Sequence, residues 1–184
     1  LGMTVHGDLQ TQASVQQKGE QLFLSGLWPQ VGSGAHADVF ILPATLPCGS
    51  VGLVEVAANA VGLHVEALKT MDSTRSSAQV SAHQVPVDAA QILVHGAELQ
   101  TLWPRLRCLA AIGLAAEQVG VAERALDLTV DYTKERQQFG KAVAVFQGVK
   151  HRAAQMLIKI ETARSAVYGA AFMADAQASD DELL

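Results

Sequence analysis

Apolar and polar residues alternate in short runs along the first half of the chain, and in the second half the apolar residues recur every third or fourth position. Gln21-Leu22-Phe23-Leu24-Ser25-Gly26 is a short apolar run closed by a turn signal. Ala37-Asp38-Val39-Phe40-Ile41-Leu42-Pro43 is a second, ended by proline, and Val51-Gly52-Leu53-Val54-Glu55-Val56 is a third. Ala78 to Val85 alternates as a half-buried strand should. From Leu99 the period changes. Ile112, Ala115, Val119, Ala122, Leu126 and Val130 form one helical stripe, and Met156, Ile160, Ala163, Val167 and Ala170 form another. Pro104 sits near the expected start of the first helix, and the second is expected to start between Val145 and Gly148. A link without periodicity, Gly140-Lys141-Ala142-Val143-Ala144, joins them, so the two helices should pack as an antiparallel pair. The expected fold class is therefore α+β: a small antiparallel β-barrel or sandwich over residues 1–95, then long antiparallel helices of a bundle over residues 96–184.

Composition narrows the function classes. With 49 % hydrophobic and 17 % charged residues, the 184-residue chain can bury a core. A net charge of −5 argues against nucleic-acid binding, but a few placed arginines still suffice for one phosphorylated ligand. No apolar run reaches the roughly 18–20 residues of a membrane span, and the N-terminus lacks a signal-peptide pattern. Cys48 and Cys108 form no CxxC pair, which makes the cytosol the default compartment. His6, His36, His64, His83, His95 and His151 show no metal-ligand spacing, and Gly32-Ser33-Gly34 is too short for a phosphate-cradling loop. The chain opens at Leu1 without an initiator Met and closes at Leu184 within ongoing structure, so a fragment is expected.

The densest chemistry lies between the two helical stripes. Tyr132-Thr133-Lys134-Glu135-Arg136-Gln137-Gln138-Phe139-Gly140-Lys141 is followed by Phe146-Gln147-Gly148-Val149-Lys150-His151. A guanidinium at Arg136 can fork onto two phosphate oxygens. Phe139 offers a flat face to a purine, and Gln138 can both donate and accept at an adenine edge or a ribose hydroxyl. The alternatives are structural: Arg136 capping helix carbonyls, Phe139 plugging a packing gap, Phe146 and Gln147 anchoring the next helix, and His151 packed or solvated on that helix.

This segment resembles the acyl-CoA dehydrogenase pattern Tyr-x-x-x-Arg-x-Gln-Phe-Gly followed by Phe-Gln-x-x-x-His. The stretch from Gly120 to Asp127, the pair Ser25-Gly26 with Ala37-Asp38, and Met71-Asp72-Ser73-Thr74-Arg75 resemble other parts of the family in the same order. The resemblance implies a middle β domain on the flavin and acyl-CoA side, and the first part of a four-helix bundle domain. It implies FAD as cofactor, with Arg136, Gln138 and Phe139 gripping its ADP half across a subunit interface, hence a homodimer, a homotetramer or a heterotetramer with a related subunit. The implied activity is oxidation of an acyl-CoA thioester to the trans-2-enoyl-CoA, with electrons leaving through an electron-transfer flavoprotein. Two departures stand out. The catalytic glutamate that some members carry early in the first long helix falls at Ala110, beside Ala111, and Glu117 lies further along the same helix, so no catalytic residue is assigned. The aromatic flavin neighbour falls at Gln30, with Trp28 displaced toward either a flavin contact or a core position. Such departures resemble the degenerate partner of bacterial heteromeric enzymes that act on bulky acyl groups such as sterol side chains. A flavin monooxygenase on the same scaffold is a further alternative.

Overall fold

The computed structural model describes residues 2–3, 11–72 and 74–176, so His6 and Ser73 of the sequence reading lie outside the described residues. The chain divides into two compact units, Leu1–Pro104 and Arg105–Leu184.

The first unit is a curled sheet over one apolar core. Its strands are β1 (Gly2–Met3), β2 (Ser14–Lys18), β3 (Gln21–Gly32), β4 (Val39–Thr45), β5 (Val51–Ala57), β6 (Leu63–Ala67), β7 (Ser77–Val87) and β8 (Ile92–His95). They run in the order β6-β7-β3-β1-β4-β5-β8, with β2 pairing both β3 and β4. Most pairs are antiparallel as expected, but β4 runs parallel to β1 and to β2. Among the described residues the strand path ends at β6 and β8, so no closed barrel forms. Alternation explains the burial. Phe40, Leu42 and Ala44 of β4 and Val54 and Val56 of β5 point into the core with Val80, Ala82, Val85 and Val87 of β7.

Two bulges interrupt that alternation. Leu24 pairs with Val85 but Gly26 pairs with Ala82, which leaves one extra residue on β7. It is accommodated by Gln84 at φ 52°, whose N–H donates to the Ser25 hydroxyl at 3.1 Å. Further along, Trp28 pairs with Val80 but Val31 pairs with Ala78, so the extra residue is on β3, next to Pro29. A proline is tolerated at a bulge because no ladder donor is required there. Trp28 is therefore a core residue: it is buried, and its indole N–H donates to the Pro43 carbonyl at 3.1 Å. Pro43 does not end β4. It pairs with Leu53 and falls between the segments of β4 that meet β1 and β2.

α1 (Gly96–Glu135) begins well before Pro104, at Gly96, whose φ is +59°. Pro104 lies inside the helix, where it removes one backbone hydrogen bond, and the division between the two units falls directly after it. In the second unit, α1 from Arg105 onward runs antiparallel to α2 (Gln147–Asp175). The Arg105 guanidinium donates to the Ala174 carbonyl at 2.7 Å, and Arg164 pairs with Glu123 at 2.8 Å. Leu126 and Ile160 are buried between the helices. Leu114, Val121, Leu128 and Tyr132 on α1, and Leu157, Tyr168 and Phe172 on α2, remain exposed. Among the described residues the helical unit holds the two long antiparallel helices expected of the first part of a bundle domain, and no described helix is long and apolar enough to cross a membrane.

Candidate functional site: the hairpin between the long helices

The link without helical periodicity folds into a hairpin. The last turn of α1 closes with the Arg136 N–H donating to the Tyr132 carbonyl at 2.9 Å. Two short strands follow, β9 (Gln137–Gln138) and β10 (Lys141–Ala142), with Gln138 opposite Lys141 and Gln137 opposite Ala142. The Val143 N–H then donates to the Arg136 carbonyl at 2.8 Å, which extends the pairing by one step. Because side chains alternate across a hairpin, Arg136, Gln138 and Lys141 share one face.

The turn residues are Phe139 at φ 53° and Gly140 at φ 75°. A two-residue loop with both central residues left-handed has the form that matches strand twist, and it favours Asn-Gly or Gly-Gly. Glycine suits the second place. Phenylalanine at the first costs about 1–2 kcal/mol in backbone strain. Its ring is also 90 % exposed, so burial does not offset the strain. Phe139 thus does not plug a packing gap. The ring has one described aromatic neighbour, Phe146, which meets it edge-to-face with centroids 6.2 Å apart and planes at 86°. The Lys141 ammonium lies 4.7 Å from the centroid of the Phe146 ring.

Arg136 and Gln138 are both exposed. Among the described residues neither side chain has a hydrogen-bond or ion-pair partner, so Arg136 does not cap the α1 carbonyls with its guanidinium. The hairpin therefore brings together all three residues singled out in the sequence, with a cation and a polar amide unengaged beside an exposed ring. Sequence reading missed Lys141 and the aromatic contact of Phe146. The Phe-Gly pair flanked by polar residues was the signal for a tight turn, masked by the unusual first residue. The remaining candidates lie elsewhere. His151 faces Gln147 at 3.4 Å, Ala110 and Ala111 are exposed on α1, and Glu117 is engaged in an interaction of its own. In the other unit, the Asp72 carboxylate accepts from the Thr74 hydroxyl at 2.6 Å and the Thr74 N–H at 2.9 Å, which holds its carboxyl below the ordinary range. No cluster of potential metal ligands occurs among the described residues.

Comparison with known proteins agrees with the motif. Residues 109–183 match the family model of the acyl-CoA dehydrogenase C-terminal domain. Acyl-CoA dehydrogenase FadE34 of Mycobacterium tuberculosis is 39 % identical over 147 residues, which cover 80 % of this chain and 19 % of that protein. The chain belongs to the acyl-CoA dehydrogenase family. Acyl-CoA dehydrogenase FadE27 of the same organism is 34 % identical over 149 residues, covering 81 % of this chain and 38 % of that relative. Among solved structures, the ChsE4–ChsE5 complex from Mycobacterium tuberculosis is similar with a TM-score of 0.76 and 29 % identity, over 95 % of this chain and 46 % of that one. Butyryl-CoA dehydrogenase from Megasphaera elsdenii has the same fold, with a TM-score of 0.84 at 24 % identity, over 97 % of this chain and 50 % of that one. The chain spans about half the length of these solved family members and 19 % of FadE34.

Proposed function

We propose that this chain is part of an FAD-dependent acyl-CoA dehydrogenase, which oxidises an acyl-CoA thioester to the trans-2-enoyl-CoA and passes electrons to an electron-transfer flavoprotein. One observation carries the cofactor reading: a phenylalanine held in the left-handed region with a 90 % exposed ring, beside an unengaged arginine. Strain and exposure of this kind concentrate at binding sites, where the ligand supplies the missing contact. The donor set fits a dinucleotide. Arg136 would hold phosphate oxygens through its planar fork, Phe139 would lie against the purine, and Gln138 would meet its polar edge or a ribose hydroxyl. The hairpin ladder holds these groups in one register, so little ordering remains to be done on binding. When bound, FAD supplies the hydride acceptor. This chain contributes the grip on the cofactor's ADP half, offered to a neighbouring subunit in a dimer or dimer of dimers. The sheet unit then serves as the flavin and acyl-CoA side and the helical unit as the start of the bundle domain. Free cysteines at Cys48 and Cys108 suit the cytosol.

A second reading is a non-catalytic subunit that supports an active partner. The methyl side chains at Ala110 and Ala111 favour it, as does the similarity to a two-component complex. Absorption spectroscopy of the purified chain with an acyl-CoA panel separates the two. A flavin band bleached by one acyl-CoA supports the dehydrogenase, and a band that no acyl-CoA bleaches supports the partner subunit. The cofactor reading fails if the protein takes up no flavin, or if Arg136→Gln and Phe139→Ala retain it as the wild type does.

A further inference from the structure

Nothing in the backbone of the hairpin fixes the direction of the Phe139 ring. The left-handed turn sets the Cα–Cβ bond, but a ring with 90 % exposure is otherwise free to exchange rotamers. A ring that has to meet a purine face loses that freedom on binding, and the loss weakens affinity. The structure shows two groups that restrict it. Phe146 stands perpendicular to Phe139 with centroids 6.2 Å apart. Phe146 is itself fixed in the backbone as the residue before α2, and its N–H donates to the Val143 carbonyl at 3.2 Å. The Lys141 ammonium lies 4.7 Å from the centre of that ring, and Lys141 is held opposite Gln138 by the hairpin register. The three side chains form a stack, cation to ring to ring, that runs from β10 through the start of α2 to the tip of the turn.

We infer that Lys141 and Phe146 are positioning residues that orient the Phe139 ring for an adenine nucleotide. The inference rests on the cofactor reading above and deepens it. It assigns the adenine end of the ligand to the stack and the phosphates to Arg136. Lys141 works through the ring of Phe146, so a guanidinium, which also binds aromatic faces, should replace it.

The test is titration of the full chain with FAD and with FMN, which carries a phosphate but no adenine. The variants are Arg136→Gln, Phe139→Ala, Phe146→Leu, Lys141→Met and Lys141→Arg. Edge-to-face and cation–ring contacts of this size predict that Lys141→Met and Phe146→Leu each weaken FAD about threefold to tenfold and leave FMN within about twofold. Lys141→Arg should restore FAD binding. General loosening of the hairpin would weaken both flavins alike, and so would a direct Lys141–phosphate contact, so a parallel loss of FMN overturns the inference. Unchanged FAD affinity in Lys141→Met and Phe146→Leu, with a clear loss in Phe139→Ala, overturns the positioning role and leaves the cofactor reading standing. No loss in Phe139→Ala, or no FAD binding by the wild type, removes both.

Discussion

Gly26 is the residue whose replacement the structure judges most sharply. A Cβ built there would lie 2.3 Å from the Ala13 Cβ and 2.6 Å from the Ala13 Cα. Carbon atoms rest about 3.5–4.0 Å apart, so Gly26→Ala is about 1.2 Å short of room. Nothing nearby can yield cheaply. Ala13 is fully buried, its carbonyl accepts from the Thr45 N–H at 2.9 Å, and its own N–H donates to the Thr11 hydroxyl at 3.1 Å. Gly26 itself sits beside the β3–β7 bulge, so a shift there disturbs two strand pairs at once. Overpacking of this kind costs about 1–3 kcal/mol, and the rigid neighbours place this case near the top of the range. At about 4–8 °C per kcal/mol for a unit of about 100 residues, the melting temperature of the sheet unit, Leu1–Pro104, should fall by about 12–24 °C. Gly113→Ala is the control, because no atom lies within 4 Å of its added methyl. It should stabilise α1 by about 0.5–1 kcal/mol. Scanning calorimetry on both variants gives opposite signs if the packing reasoning holds. A Gly26→Ala protein that melts within about 2 °C of wild type would refute it.

Ile160→Ala empties a buried site between α1 and α2, and should cost about 2–4 kcal/mol in helix unfolding followed by far-UV circular dichroism. Arg164→Gln removes the Glu123 partner of a partly exposed pair, so the loss of stability should be small and should shrink in high salt; a salt-independent loss would contradict a charge effect. Asp72 sets a pH dependence. Its folded carboxyl is held below the ordinary range by the Thr74 hydroxyl and N–H, so the stability this adds is complete above the ordinary carboxylate range. That stability is lost as the pH falls through the lowered folded value. In Thr74→Val the Asp72 titration followed by NMR should move upward, and an unmoved midpoint would sink the assignment.

The strands read from the sequence were short apolar runs closed by turn signals, such as Gln21–Gly26 and Val51–Val56, and the alternating stretch Ala78–Val85. The rest of β3 was hidden because Ser25-Gly26 reads as a turn signal, and because the bulge at Trp28–Val31 then shifts the inward positions from even to odd residues. β6 exposes most of its side chains as an end strand, and so carries little pattern to detect. Pro104 suggested a helix start and proved internal, because the helix continues N-terminal to it through the buried Leu99 and Trp103. At the hairpin, the closeness of Arg136, Gln138 and Phe139 was legible because they fall within four positions of one motif. The place of Lys141 opposite Gln138 was not, since it depends on a hairpin whose strands are two residues long and whose turn breaks the usual residue preference.

The two bulges in the β3–β7 pair have a consequence for how this sheet tolerates changes in length. One adds a residue to β7 and the other adds a residue to β3, so the pairing slips by one and then slips back. Leu22 opposite Val87 and Gly32 opposite Ser77 are therefore in the same register, with the shifted stretch enclosed between them. A one-residue deletion in only one strand would leave its far end facing the wrong way, with polar residues turned into the core. Deleting one residue from each strand would keep both ends in place. Across relatives of different strand length, gaps in these two strands should appear together or not at all.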